Sequence, residues 1–162
     1  ESFDSFDFYW IDKVASSIVL ELRNKPHVLK MMRNQSQISQ KTHEDFIKNY
    51  YLLPRIDFLL FDRLEKEFIG GFGVSSLLEK PEMGKYIGSE KYLGKNIAFR
   101  ATQKLIKYYF ENFNYDNLIA NTKIENKANI KLNQSLGFEI IREFLDEQNT
   151  PFYEMILKRG SI

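Results

Sequence analysis

The chain contains no cysteine. Disulfides, thiolate metal sites and a cysteine nucleophile are therefore excluded. Histidine is almost as scarce: His27 and His43 lie far apart in sequence and offer no zinc-ligand spacing. No apolar run approaches the roughly 18 residues needed to cross a bilayer, and the first residues carry no signal-peptide pattern. Charge of either sign is not in excess. The formal net charge is +1, which gives no electrostatic pull towards nucleic acid or a membrane surface. The lack of cysteine fits a cytoplasmic protein.

What is present is apolar and periodic. The chain is 43% hydrophobic over 162 residues, which suits one domain spanning 1–162 with a real core. "IDKVASSIVLELRN" repeats Ile11, Val14, Ile18 and Leu22 at helical spacing. "RNKP" ends that helix, because proline disfavours helix in the residue before it. "SQKTHEDFIKNYY" restarts one, with Thr42 as the expected N-cap and Asp45 three residues on. "RIDFLLF", "EKEFIGGFGVSSLL" and, more weakly, "PEMGKYIGSE" read as strands. A long helix follows from Ile97. Then come a strand ("NLIANT"), a short helix closing on Gly137 and two more strands ("FEIIREFLD", "PFYEMILKR"). The order predicts a mixed α/β fold on one sheet.

The long helix places Ile97, Ala98, Ala101, Leu105, Tyr108 and Tyr109 on one stripe. Gly94, Lys95 and Asn96 precede it. The first N–H groups of a helix lack internal partners, and the helix dipole adds partial positive charge there. A glycine and lysines at that point make a cradle for phosphate or pyrophosphate.

Glu82 to Ile141, "EMGKYIGSEKYLGKNIAFRATQKLIKYYFENF…NLIANTKIENKANIKLNQSLGFEII", resembles the GNAT acyltransferases. In that family a strand leads into (Gln/Arg)-x-x-Gly-x-(Gly/Ala) and a long helix. A strand, an Asn and a short helix ending in Gly-Phe follow. Lys91 stands in the Gln/Arg position and Asn96 in that of the second Gly/Ala. The resemblance implies a mixed, mostly antiparallel central sheet, splayed between its fourth and fifth strands and flanked by helices. It also implies acetyl-CoA as cosubstrate, no metal, and direct attack of a neutral amine on the thioester. Carried across, the amides of Tyr86, Ile87 and Gly88 pair with the pantetheine arm. Lys91, Tyr92, Leu93, Gly94, Lys95, Asn96, Ile97 and Ala98 hold the pyrophosphate. Asn126 and Asn133 lie beside the arm.

Many members carry a Tyr acid five residues before the Phe of Gly-Phe, where this chain has Asn133. That leaves Tyr86 and Ser135 as candidate acids, or unassisted departure of the thiolate. Glu82 is the candidate base. "LELRNKPHVLKMM…ISQKTHEDFIKNY" resembles the RimJ/RimL-like branch, and within it the amino-sugar acetyltransferases of the pseudaminic acid pathway. By that resemblance Arg23, Met32 and His43 hold a nucleotide-linked amino sugar destined for surface glycan. An N-terminal or small-amine acceptor, and an acyl-CoA-binding module without turnover, remain as alternatives. A homodimer is left open.

Overall fold

The computed structural model describes residues 3–161. Its centre is one seven-stranded sheet in the order β1-β2-β3-β4-β5-β7-β6. β1 (Phe6–Trp10), β2 (Ile56–Asp62), β3 (Glu67–Ser75) and β4 (Glu82–Ile87) form an antiparallel meander. β5 (Asn117–Lys123), β7 (Pro151–Lys158) and β6 (Glu139–Leu145) form an antiparallel second half. The halves meet where β4 runs parallel to β5, through the single register pair Glu82↔Ile119. Beyond Glu82 the two strands diverge, which is the expected splay between the fourth and fifth strands.

Alternation along each strand sends side chains to opposite faces. Met83 and Ile87 of β4 join the main core with Ala101, Leu105 and Tyr109 of α4 (Ile97–Asn112). Tyr86 packs instead with Val19 and Leu22 of α1 (Ser16–Arg23). The remaining helices are α2 (Pro26–Met31), α3 (Gln40–Lys48) and α5 (Lys127–Ser135). Of the expected α4 stripe, Ile97, Ala101, Leu105 and Tyr109 are buried, while Ala98 and Tyr108 are half-buried.

Four local expectations are corrected. Residues 11–13 form a 3-10 turn, and α1 starts only at Ser16, because Val14 is extended at φ −108°, ψ 136°. A three-residue apolar spacing suits a 3-10 turn as well as an α-helix. Pro26 ends α1 but also opens α2 as a first-turn proline, where its missing N–H costs nothing. Ser39, not Thr42, caps α3, its hydroxyl accepting the Thr42 N–H at 3.1 Å. β1 has no counterpart in the sequence reading. It exists because Phe6 and Phe8 alternate with Asp7 and Tyr9, so both phenylalanines pack against the core.

Candidate active site

The divergence of β4 from β5 opens a cleft of about 910 Å³, walled by α2, the start of α4 and the inward face of α5. Glu82 lines it at the point of divergence; Tyr86, Ile87, Leu93, Gly94, Asn96, Ile97, Ala98, Asn126, Asn133, Ser135 and Met32 also border it.

The start of α4 meets the requirements for an anion. Gly94 has φ +73°, a conformation that favours glycine, and a side chain built there would meet nothing within 4 Å. Asn96 adopts the left-handed conformation at φ 63°, and no side chain caps the helix it opens. The N–H groups of Ile97, Ala98 and Phe99 therefore have no capping side chain, at the positive end of a 16-residue helix. Open space above a positive-φ glycine, beside uncapped amides, fits the pyrophosphate of a CoA molecule. Asn126 caps α5, its side-chain oxygen accepting the Asn129 N–H at 3.2 Å.

Other expected contacts are engaged elsewhere. The Gly88 N–H donates to Ile69 O at 2.9 Å, across to β3. In a trans peptide the carbonyl of Ile87 must point the opposite way, towards the splay. There it accepts from His27 Nε2 at 2.8 Å. The extended backbone turns the Ile87 N–H the same way, so Ile87 rather than Gly88 offers the strand edge to a ligand. Lys91 lies outside the cleft lining and is ion-paired with Glu65 and Glu67. Hydrogen bonds that it donates to these carboxylates, Glu67 first, hold its ammonium above the usual lysine range. Lys95 also lies outside the lining and stands over the Tyr92 ring. The Tyr92 hydroxyl is shared by Asp62 at 2.8 Å and Glu67 at 3.0 Å, so Tyr92 can present only its ring.

Arg23 and His43 are not brought to the cleft. Arg23 packs behind Tyr86, its guanidinium carbon 6.0 Å from the ring centre. His43 is 5% exposed on α3, beside Phe46, and burial lowers its pKa. The two side-chain bonds between Asn24 and Ile38, 2.9 and 2.8 Å, fasten the start of α3 to the end of α1 and fix this arrangement. Ser135 is exposed, and its hydroxyl proton is committed to Lys131 O at 2.9 Å, so it is not poised as an acid. Tyr86 lies flat over Gly71: a side chain at Gly71 would meet its ring at 2.5–2.9 Å, so only glycine leaves room. Burial, first, keeps its phenol well above the ordinary range and hence protonated.

The cleft also holds residues that the sequence reading passed over. Lys85 donates to Asn133 Oδ1 at 2.6 Å. Arg33, just past α2, stacks 5.3 Å from the Phe152 ring and lies 4.0 Å from Glu82. The signal for Lys85 was its place between Met83 and Ile87 on the core face of β4, where an ammonium is out of pattern. Arg33 was legible only by recognising α2. Among the described residues no group of three or more His, Cys, Asp or Glu could hold a metal, and no helix is long and apolar enough to cross a membrane.

Spermidine N-acetyltransferase from Vibrio cholerae, in complex with CoA and spermine, shares the fold with a TM-score of 0.85, 15% identity and 98% of both chains covered. Ribosomal-protein-S5-alanine acetyltransferase from Vibrio fischeri matches with a TM-score of 0.79, 17% identity, and 99% of this chain and 96% of that one covered. A domain from Methanocaldococcus jannaschii gives 0.77 and 23% identity, covering 94% of this chain and 98% of that one. At these identities the likeness is one of fold. No curated protein matches by sequence. A family model described as an acetyltransferase (GNAT) domain matches residues 12–139, and the chain belongs to that family of acetyl-CoA-dependent N-acetyltransferases.

Proposed function

We propose that acetyl-CoA lies with its pyrophosphate at Gly94–Ala98 and its pantetheine arm along the open edge of β4, and that the acceptor is the amine of a nucleotide-linked amino sugar, as for the pseudaminic-acid-pathway enzymes that the N-terminal segment resembles. The observation that carries this reading is the balance of charge. Glu82 is the one acidic residue among the described residues lining the cleft, and on the α2 side, where the acceptor is placed, His27 and Arg33 stand beside it. A polycationic acceptor would call for the reverse balance. A diphosphate-bearing acceptor matches it.

Arg33 takes the part that the sequence assigned to Arg23. Its planar guanidinium forks to phosphate and stacks on flat rings, and Phe152 already holds it side-on. Met32, beside it in the lining, supplies an adaptable apolar wall for the sugar or base. Glu82, a third exposed at the mouth of the splay, accepts the proton that the attacking amine loses. Tyr86 is positioned on the same face of β4 and orients the acceptor. The small-amine and N-terminal acceptors have no observation in their favour beyond the shared fold.

Steady-state kinetics of Arg33→Ala test the assignment. Loss of a charge-assisted contact costs about 1.5–3 kcal/mol, roughly ten- to a hundredfold. The acceptor KM should rise by that factor while the acetyl-CoA KM stays in place. An unmoved acceptor KM would remove Arg33, and with it the anionic acceptor.

A further inference from the structure

Asn133 occupies the place where the family resemblance expects a tyrosine acid, yet that position is not chemically empty. Asn133 is fully buried, at 0% exposure. Its amide nitrogen faces Thr122 Oγ1 at 3.2 Å and Met155 Sδ at 3.9 Å, and its oxygen receives the Lys85 ammonium at 2.6 Å. A lysine ammonium can only donate, so this contact fixes which way the amide points. Among the described residues no carboxylate pairs with Lys85, and one neutral oxygen engages only one of its three N–H donors.

The geometry points to Lys85 as the general acid of the transfer, the group that protonates the departing CoA thiolate, with Asn133 as the residue that positions it. This rests on the proposed placement of acetyl-CoA. By the alternation of β4, Lys85 shares the face of Met83 and Ile87, towards α4 and α5, where the arm is placed. Glu82 and Tyr86 occupy the other face, towards α1 and α2, where the acceptor approaches. Base and acid thus stand on the two faces of the strand, where one can serve the attacking amine and the other the departing sulfur.

The proton balance closes. The amine nitrogen bonds to the acetyl carbon and the carbon–sulfur bond breaks. The proton shed by nitrogen goes to Glu82. The sulfur takes a proton from the Lys85 ammonium, leaving a neutral amine that is recharged from solvent. An ordinary lysine would be a weak acid for this step, but desolvation of its half-buried side chain lowers the Lys85 pKa to about 7. A donor of that strength can yield its proton to a thiolate near neutral pH.

The charged neighbours do not set this acidity; burial does. On the α2 side, His27 Nε2 donates to Ile87 O, and Arg33 lies by Glu82. On β5, Lys123 donates to Lys30 O at 2.9 Å. Tyr86 and Tyr92 are kept protonated, each chiefly by burial, and Lys131 of α5 is exposed.

Two measurements test the assignment. First, Lys85 in the unliganded wild-type enzyme is labelled with acetic anhydride across pH and quantified by mass spectrometry. A midpoint near 7 is expected, and one near the ordinary 10.5 would overturn the assignment. Second, Lys85→Met and Lys85→Arg are compared with wild type by acetyl-CoA calorimetry and by kcat against pH. The acceptor is whichever of a UDP-4-amino sugar, spermidine and an alanyl peptide turns over fastest. Both variants should bind acetyl-CoA as wild type does. Both should lose about 10²–10⁴-fold in kcat, along with the falling limb above pH 7 expected of wild type, since arginine keeps the charge but does not release the proton. Intact kcat and pH profile with acetyl-CoA bound would refute Lys85 alone. Absence of acetyl-CoA binding by wild type would refute the cofactor placement instead.

Discussion

Gly94→Val separates the cost of a backbone conformation from the cost of crowding a ligand. At φ +73° a side chain of L configuration is strained, by about 1–2 kcal/mol for a left-handed residue. No packing cost is added, because nothing lies within 4 Å of the new Cβ. For a domain of this size each kcal/mol lowers Tm by roughly 2–4 °C, so the variant should melt about 2–8 °C below wild type and still fold. The open space is where the pyrophosphate is placed, and a branched side chain would fill it. Acetyl-CoA affinity, read by calorimetry, should fall by more than about tenfold, or 1.4 kcal/mol. Gly94→Ala carries the same backbone strain with less bulk, so its Tm should fall alike and its affinity less. A Val variant that binds acetyl-CoA as wild type does, with the predicted drop in Tm, would show that the cradle lies elsewhere. A Tm fall far beyond 8 °C would contradict the open space itself.

Two further outcomes follow from local structure. Asn126→Ala removes the cap of α5, worth about 1 kcal/mol, and should lower Tm by roughly 2–4 °C by calorimetric scan; an unmoved Tm would deny the cap. Glu154 is buried, which works to raise its pKa, yet hydrogen bonds from Lys80 at 2.8 Å and Arg142 at 3.1 Å leave it lowered from 4.5 on balance. Its contribution to stability is therefore present above about 4.5 and lost as pH falls through the depressed folded value. The Tm gap between wild type and Glu154→Gln should be open at pH 7 and close in acid, and a gap independent of pH would contradict the pairing.

How much was legible in the sequence depended on how local each cause is. Gly94 and Asn96 were readable because a positive-φ turn into a helix restricts residue type at the site itself, and both do adopt positive φ. The splay was implied by the family resemblance and is seen in the single β4–β5 register pair. The destinations of Arg23 and His43 were not readable, since they depend on how α1 packs against Tyr86 and on the Asn24–Ile38 clasp. Asn133 read in isolation looked like a lost acid. Its meaning lies in a hydrogen bond to Lys85, 48 residues away, which no local pattern reveals. Pro26 was read as a stop, which hid α2 and with it the acceptor wall that carries Arg33.

As proposed, this GNAT cleft passes an acetyl group to an amine carried on an anionic nucleotide. The most direct measurement is kcat/KM with acetyl-CoA for a UDP-linked 4-amino sugar, spermidine and an N-terminal alanyl peptide, under one buffer and salt. Turnover of the nucleotide sugar is expected to exceed the other two by at least about tenfold, a discrimination of some 1.4 kcal/mol. Preference for spermidine, or equal turnover of all three, would contradict it.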